Sequence, residues 1–203
     1  MVQCFQAISG FPVTPMVRVP TNEPGIIGKA LDAGAWGVIC PMVNSAEEAS
    51  AFVSACRYPP AGQRSNGPNR AADYAETQPY QAFANDEVLA LPMIETSAAV
   101  EALESILDVP GVDGVYVGPT DLAFSLGLPP VFDTDNPVLL SIYRRIVEET
   151  RKRGRFAAIH TMDPAYAARM LDIGFGLVTV GGDAVFIARG ARATVDALKG
   201  AIG

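Results

Sequence analysis

The chain has 203 residues, 49% of them hydrophobic and 18% charged, which supplies apolar material for one large core and excludes a disordered chain. Its formal net charge of -7 argues against nucleic acid, whose phosphates call for clustered Lys and Arg. No apolar run approaches the roughly 20 residues that cross a bilayer, and Met1-Val-Gln-Cys-Phe-Gln lacks the basic start of a signal peptide, so a cytoplasmic protein without a membrane partner is expected.

Short apolar runs suited to buried parallel strands occur, in chain order, at Pro15 to Val19, Gly37 to Cys40, Val88 to Ile94, Gly114 to Val117, Phe156 to Ile159 and Leu177 to Val180. A turn and a helical pattern follow each run. Four of these helices have readable caps: Asn22 with Pro24, Ser45 with Glu48, Asp135 or Asn136 with Pro137, and Asp163 with Pro164. Gly34, Gly154 and Gly174 follow helix ends, where a left-handed residue commonly stops the turn. Strand alternating with helix means parallel strands joined by right-handed crossovers, in a barrel or an open doubly wound sheet. No strand is followed by G-x-G-x-x-G, which favours the barrel. A complete (β/α)8 TIM barrel takes about 250 residues, so the α/β chain is expected to hold about six of the eight strand-helix units, as one domain over residues 1–203. The longest irregular stretch, Tyr58 to about Asp73, has the length of a loop with a binding or assembly role.

In a barrel, chemistry collects where strands end. Polar residues at such ends are Arg18, Glu95, Asp121 and His160, with Asp183 after Gly181-Gly182 as a fifth. Glu95 and Asp121 follow consecutive strands, and two carboxylates brought together there call for a cation. Two hard oxygen ligands, water and a bidentate 2-oxo acid would complete an octahedron around Mg²⁺ or Mn²⁺. The plainer alternative is that each carboxylate caps the helix after it. Arg18 on an apolar strand would need an anion, either a substrate or a structural acid. Gly181-Gly182-Asp183 offers either a small anion site or, more simply, a tight turn. The lysines Lys29, Lys152 and Lys199 all fall in helical patterns, which argues against a Schiff base formed on a barrel strand. There is no G-x-S-x-G, and Cys4, Cys40 and Cys56 lack C-x-x-C spacing, so a nucleophilic hydrolase, a zinc site and a disulfide framework are not expected. Metal-assisted chemistry is left.

The segments Pro15-Met-Val-Arg-Val-Pro, Ala30-Leu-Asp-Ala-Gly-Ala, Cys40-Pro-Met-Val, Arg57-Tyr-Pro-Pro-Ala-Gly-Gln-Arg, Met93-Ile-Glu-Thr, Gly111-Val-Asp-Gly-Val-Tyr-Val-Gly-Pro-Thr-Asp-Leu and Val180-Gly-Gly-Asp run in order over nearly the whole chain. This set resembles the HpcH/HpaI family of metal-dependent class II pyruvate aldolases. The resemblance implies a (β/α)8 barrel that reversibly cleaves a 4-hydroxy-2-oxo acid to pyruvate and an aldehyde, with Mg²⁺, Mn²⁺ or a similar ion such as Co²⁺, in a homo-oligomer, hexameric or trimeric. It implies that Glu95 and Asp121 hold the ion, that Arg18 binds the pyruvyl oxygens, and that N–H groups of Gly118, Thr120 and Asp121 receive the carboxylate. Asp32 matches the aspartate that partners the family's catalytic histidine. That histidine has no counterpart, because the match begins downstream of it and Met1 falls inside the pattern, after the first strand, first helix and second strand. Met93 stands where glutamine is often found. Two rival expectations follow from these departures and from the shared fold: a catalytically impaired barrel that only binds or assembles, and a citrate-lyase-like enzyme on a CoA ester, for which no basic nucleotide site is visible.

Overall fold

The computed structural model describes residues 1–73 and 79–202. Six strands alternate with helices: α1 (Val2–Ile8), β1 (Met16–Arg18), α2 (Pro24–Asp32), β2 (Gly37–Cys40), α3 (Ala46–Cys56), α4 (Asn69–Asp73), α5 (Ala84–Glu87) and β3 (Leu89–Ile94) come first. They are followed by α6 (Ser97–Glu101), α7 (Leu103–Leu107), β4 (Gly114–Val117), α8 (Pro119–Ser125), α9 (Pro137–Lys152), β5 (Phe156–Thr161), α10 (Pro164–Ile173), β6 (Leu177–Val180) and α11 (Asp183–Ile202). All strand pairs are parallel, in the order β1 to β6. Among the described residues no helix is long and apolar enough to cross a membrane.

Pleat parity sorts the strand residues into two cores. Val38, Cys40, Ala90, Ile94, Val115, Val117, Ala157 and Ile159 face the helices in one large cluster. Residues of the opposite parity, Ile39, Leu91, Met93, Tyr116 and Ala158, form a second cluster, against which Met16 of β1, Phe156 of β5 and Leu177 of β6 also pack. One cluster that gathers side chains from the first strand to the last requires the sheet to curl toward that face. The sheet is therefore an α/β half-barrel of six units, and the expectation of six strand-helix units holds in that form.

Local rules account for the helix starts, with one correction. Ser45 accepts from Glu48 N at 3.2 Å, Asn136 from Val138 N at 2.9 Å, and Asp163 from Ala165 N and Tyr166 N at 2.8 and 3.2 Å. The cap of α2 is Glu23 rather than Asn22, because its longer carboxylate reaches both Gly25 N and Ile26 N, at 2.9 and 2.8 Å. Asn22 instead donates to Glu48 O at 2.9 Å, which ties the start of α2 to α3. Gly34, Gly154 and Gly174 have φ of 110°, 65° and 115°, as the stop signals require.

The irregular stretch after α3 ends in α4 and is pinned by the two arginines of its motif. Arg57 is buried and donates to Asp113 Oδ2 at 2.8 Å and Gly111 O at 3.1 Å. Asp113 Oδ2 also accepts from Ala90 N at 2.7 Å. Arg64, buried too, pairs with Asp32 at 2.8 Å, bonds Tyr80 Oη at 3.2 Å and lies 4.4 Å over the Tyr58 ring.

Candidate active site

Glu95 follows the last residue of β3 and keeps the inward parity of Leu91 and Met93. It is 1% exposed. Its Oε1 accepts from Met42 N at 2.7 Å, whereas Oε2 is buried without a hydrogen-bond partner among the described residues. Neither oxygen caps α6; that role is taken by Thr96, which accepts from Ala99 N at 3.0 Å. Burial pushes the Glu95 carboxyl above the usual range; the Met42 N–H works against this, the Asp121 charge adds to it, and the Arg18 charge lowers it.

The clamp on Glu95 comes from the loop after β2. Met42 has φ 56°, a strained value for a side chain of its size, and is 57% exposed. Asn44 holds that loop in place: its amide donates to Met42 O at 3.0 Å, its backbone N–H donates to Glu48 Oε2 at 2.6 Å, and its Oδ1 accepts from Thr96 Oγ1. The strain at Met42 thus aims an N–H at a buried carboxylate.

Gly118 closes the other side. A Cβ there would lie 2.6 Å from Glu95 Oε2 and 2.9 Å from Met93 Cε, so only glycine leaves room. Its N–H donates to Ile94 O at 3.4 Å, which engages it in the sheet. Pro119 opens α8, with Thr120 and the exposed Asp121 in its first turn, where helix N–H groups have no internal partner. Asp121 makes no side-chain cap, so the capping alternative fails for both carboxylates.

Arg18 ends β1 with the inward parity of Met16, but β1 is an edge strand and the side chain is exposed. The cost expected from burying it is therefore absent. No ion pair of Arg18 occurs among the described residues, although its charge acts on both Glu95 and Cys40. Cys40 points to the helix side, and burial raises its thiol to about 12, which makes it a core residue. Asp32 lies apart from this group. It ends α2, at the rim where β2 begins, and its carboxylate bonds Arg64 rather than facing Glu95. Gly181, at φ 65°, makes the turn into α11, and Asp183 Oδ1 accepts from the adjacent Ala184 N at 2.8 Å.

The register extends the site beyond these residues. Ile94 pairs with Val117, and Val117 with Ile159, so the next residues Glu95, Gly118 and His160 stand in one row. Thr179, paired with His160, is the fourth. His160 Nδ1 lies 2.9 Å from Thr179 Oγ1, which also bonds Tyr116 Oη. Met42, Asn44, Tyr116 and Thr179 escape a search of strand ends for charged groups; counting every second residue along each strand would have found Tyr116 and Thr179.

The residues fit a divalent ion of the magnesium type. A buried carboxylate oxygen without a partner is costly, and a second carboxylate lies within electrostatic reach. Among the described residues no cluster of three or more His, Cys, Asp or Glu occurs. Two protein oxygens with the remaining positions left to substrate and water is how Mg²⁺ is commonly bound, in contrast to the closed cage of structural zinc.

The family model for HpcH/HpaI aldolase/citrate lyase matches residues 1–189. This chain belongs to that family. The hydroxypyruvate/pyruvate aldolase of Roseovarius nubinhibens is 42% identical over 183 residues, which is 89% of this chain and 70% of that protein. The 4-hydroxy-2-oxo-heptane-1,7-dioate aldolase of Salmonella typhimurium is 39% identical over 190 residues, 93% of this chain and 72% of that one. Among solved structures, an HpcH/HpaI aldolase/citrate lyase family protein from Burkholderia cenocepacia superposes with a TM-score of 0.88 at 30% identity, covering 98% of this chain and 79% of that one.

Proposed function

We propose that this HpcH/HpaI family chain is a carbon-carbon lyase that reversibly cleaves a 4-hydroxy-2-oxo acid to pyruvate and an aldehyde. The observation that carries the reading is Glu95: a buried carboxylate with one oxygen clamped by Met42 N–H and the other without a partner among the described residues, beside a glycine that no other residue could replace. Relatives that match 89% and 93% of this chain, and of which it spans 70% and 72%, are named aldolases.

Glu95 and Asp121 would hold the divalent ion, Mg²⁺ or Mn²⁺, which supplies a Lewis acid for the 2-oxo oxygen of the substrate. Arg18 adds positive charge where negative charge develops as the C3–C4 bond breaks, and its exposed position leaves it free to meet the pyruvyl oxygens. First-turn N–H groups of Thr120 and Asp121 orient the substrate carboxylate; Gly118 contributes the space rather than a free donor. Asp32 pairs with Arg64 and stands apart from Glu95, so its part in proton transfer rests on the match to the family's aspartate alone. The six-unit sheet corresponds to six consecutive units of a (β/α)8 barrel, working as a homo-oligomer in the cytoplasm. The exposed apolar side chains of α11 and the free state of Cys4, Cys40 and Cys56 support that setting.

The test is pyruvate release from a 4-hydroxy-2-oxo acid with Mg²⁺ or Mn²⁺. Release that chelation stops and that Glu95→Ala lowers by at least about 10²-fold, the scale for loss of one electrostatic contributor, is expected. Release indifferent to both overturns the reading.

A further inference from the structure

His160 is the sole histidine of the chain, and nothing in the metal and oxo-acid reading uses it. Its position is specific. It keeps the inward parity of Ala158, and it shares a row with Gly118 and Glu95 through the pairings of β3, β4 and β5. Neighbouring strands are about 4.8 Å apart, which separates the Glu95 and His160 backbones by roughly 10 Å. Because the residue between them is glycine, Glu95 Oε2 and Met93 Cε lie over it where a Cβ would otherwise stand, and no β4 side chain separates that carboxylate from the β5 position in the row. A small oxo acid seated at Glu95 would therefore extend toward the imidazole.

The ring is also held in a way that leaves one nitrogen available. Nδ1 meets Thr179 Oγ1 at 2.9 Å, Thr179 Oγ1 meets Tyr116 Oη, and Phe132 packs edge-on at 5.4 Å between ring centroids. Nε2 has no protein partner among the described residues. A hydroxyl both donates and accepts, so the Tyr116–Thr179 chain supports either tautomer. With Nδ1–H donating to Thr179, Nε2 is an acceptor; with Thr179 donating to Nδ1, Nε2–H is a donor. Among the described residues no carboxylate forms an ion pair with the ring; Asp133, whose charge acts on it, is occupied by the N–H groups of Met162 and Asp163 at 2.7 to 3.1 Å. Burial lowers the His160 pKa and Asp133 opposes this only in part, which leaves a neutral base at pH 7.

We propose that His160 Nε2 is the general base that removes the C4 hydroxyl proton during aldol cleavage, with Thr179 and Tyr116 fixing the ring. The proposal rests on the lyase reading above. In the step, the O–H proton passes to Nε2 and the O–H pair becomes the second bond of the aldehyde carbonyl. The C3–C4 bond breaks, and its pair forms the C2–C3 double bond as charge moves to the C2 oxygen. C3 then takes up a proton to give pyruvate, and the imidazolium gives its proton back.

Decarboxylation of oxaloacetate separates the two claims, because it yields the same enolate by loss of CO₂ with no hydroxyl proton to remove. Both reactions are to be measured with Mn²⁺ on the full chain, wild type and with His160→Gln, which keeps a partner for Thr179, and His160→Leu, which keeps the packing on Phe132. The ratio of aldol cleavage to decarboxylation is expected to fall about 10²- to 10⁴-fold in both variants, the usual contribution of a general base. A ratio that stays within about threefold, on the same scale, overturns the role of His160, as does a wild-type chain that decarboxylates but cleaves no hydroxy acid. A wild-type chain that does neither overturns the lyase reading with it. Independently of turnover, the single histidine gives one set of ring signals in an NMR spectrum. Pyruvate with Mg²⁺ is expected to shift them in wild type, and unmoved signals would place His160 outside the site.

Discussion

Glu95 stands where folding and function conflict. A carboxylate with 1% exposure and one oxygen without a partner among the described residues costs stability when ionised, and burial accordingly raises its pKa. The folded chain holds that proton more tightly than the unfolded chain, so stability falls as pH rises above the unfolded value of about 4.3. The loss is complete once pH passes the raised folded value. Without metal at pH 7, Glu95→Gln is therefore expected to melt higher than wild type, by roughly 2–4 °C for each kcal/mol relieved, and the difference should vanish near pH 4. Mn²⁺ should raise the wild-type melting point and leave that of the variant in place. Scanning calorimetry over pH, with and without Mn²⁺, checks both; a variant that melts lower at pH 7 and still responds to Mn²⁺ would contradict the account.

At the scale of elements, the strand-helix grammar was legible because each unit carries its own local signals. Ser45, Asn136 and Asp163 cap as read, and Gly34, Gly154 and Gly174 turn where expected. Asn22 misled because cap preference says nothing about which neighbour reaches farther, and Glu23 does. Glu95 and Asp121 stood out as charges at strand ends, whereas the Met42 clamp was hidden: a backbone N–H aimed by φ 56° leaves no mark in residue type. Asp32 could not be placed from spacing, since being in the last turn of a helix sends it to the opposite rim. Arg57 and Arg64 marked the family but serve the loop, through Asp113 and Asp32. Arg57→Met is accordingly expected to cost about 3 kcal/mol, the scale for breaking a buried ion pair, measured as a lower midpoint in urea. A midpoint unchanged from wild type would show that the loop is held by other contacts.

For the whole molecule, the half-barrel leaves β1 and β6 as edges, and unpaired strand edges invite partners. The long α11 presents Phe186, Ile187, Val195 and Leu198 to solvent, each at least 48% exposed, an apolar surface unusual for a free monomer. Sedimentation is expected to show an oligomer at micromolar concentration that Phe186→Glu with Ile187→Glu dissociates; a monomer at every concentration would refute this. The same half-barrel collects Glu95, Gly118, Asp121 and Arg18 on one concave rim, and the central claim is that this rim binds a planar oxo acid through a divalent ion. Oxalate, a dianion shaped like the enolate of pyruvate, probes it directly by titration calorimetry. Binding is predicted only when Mn²⁺ is present, and only in chains that keep Glu95. Oxalate binding without metal, or binding that survives Glu95→Gln undiminished, would contradict it.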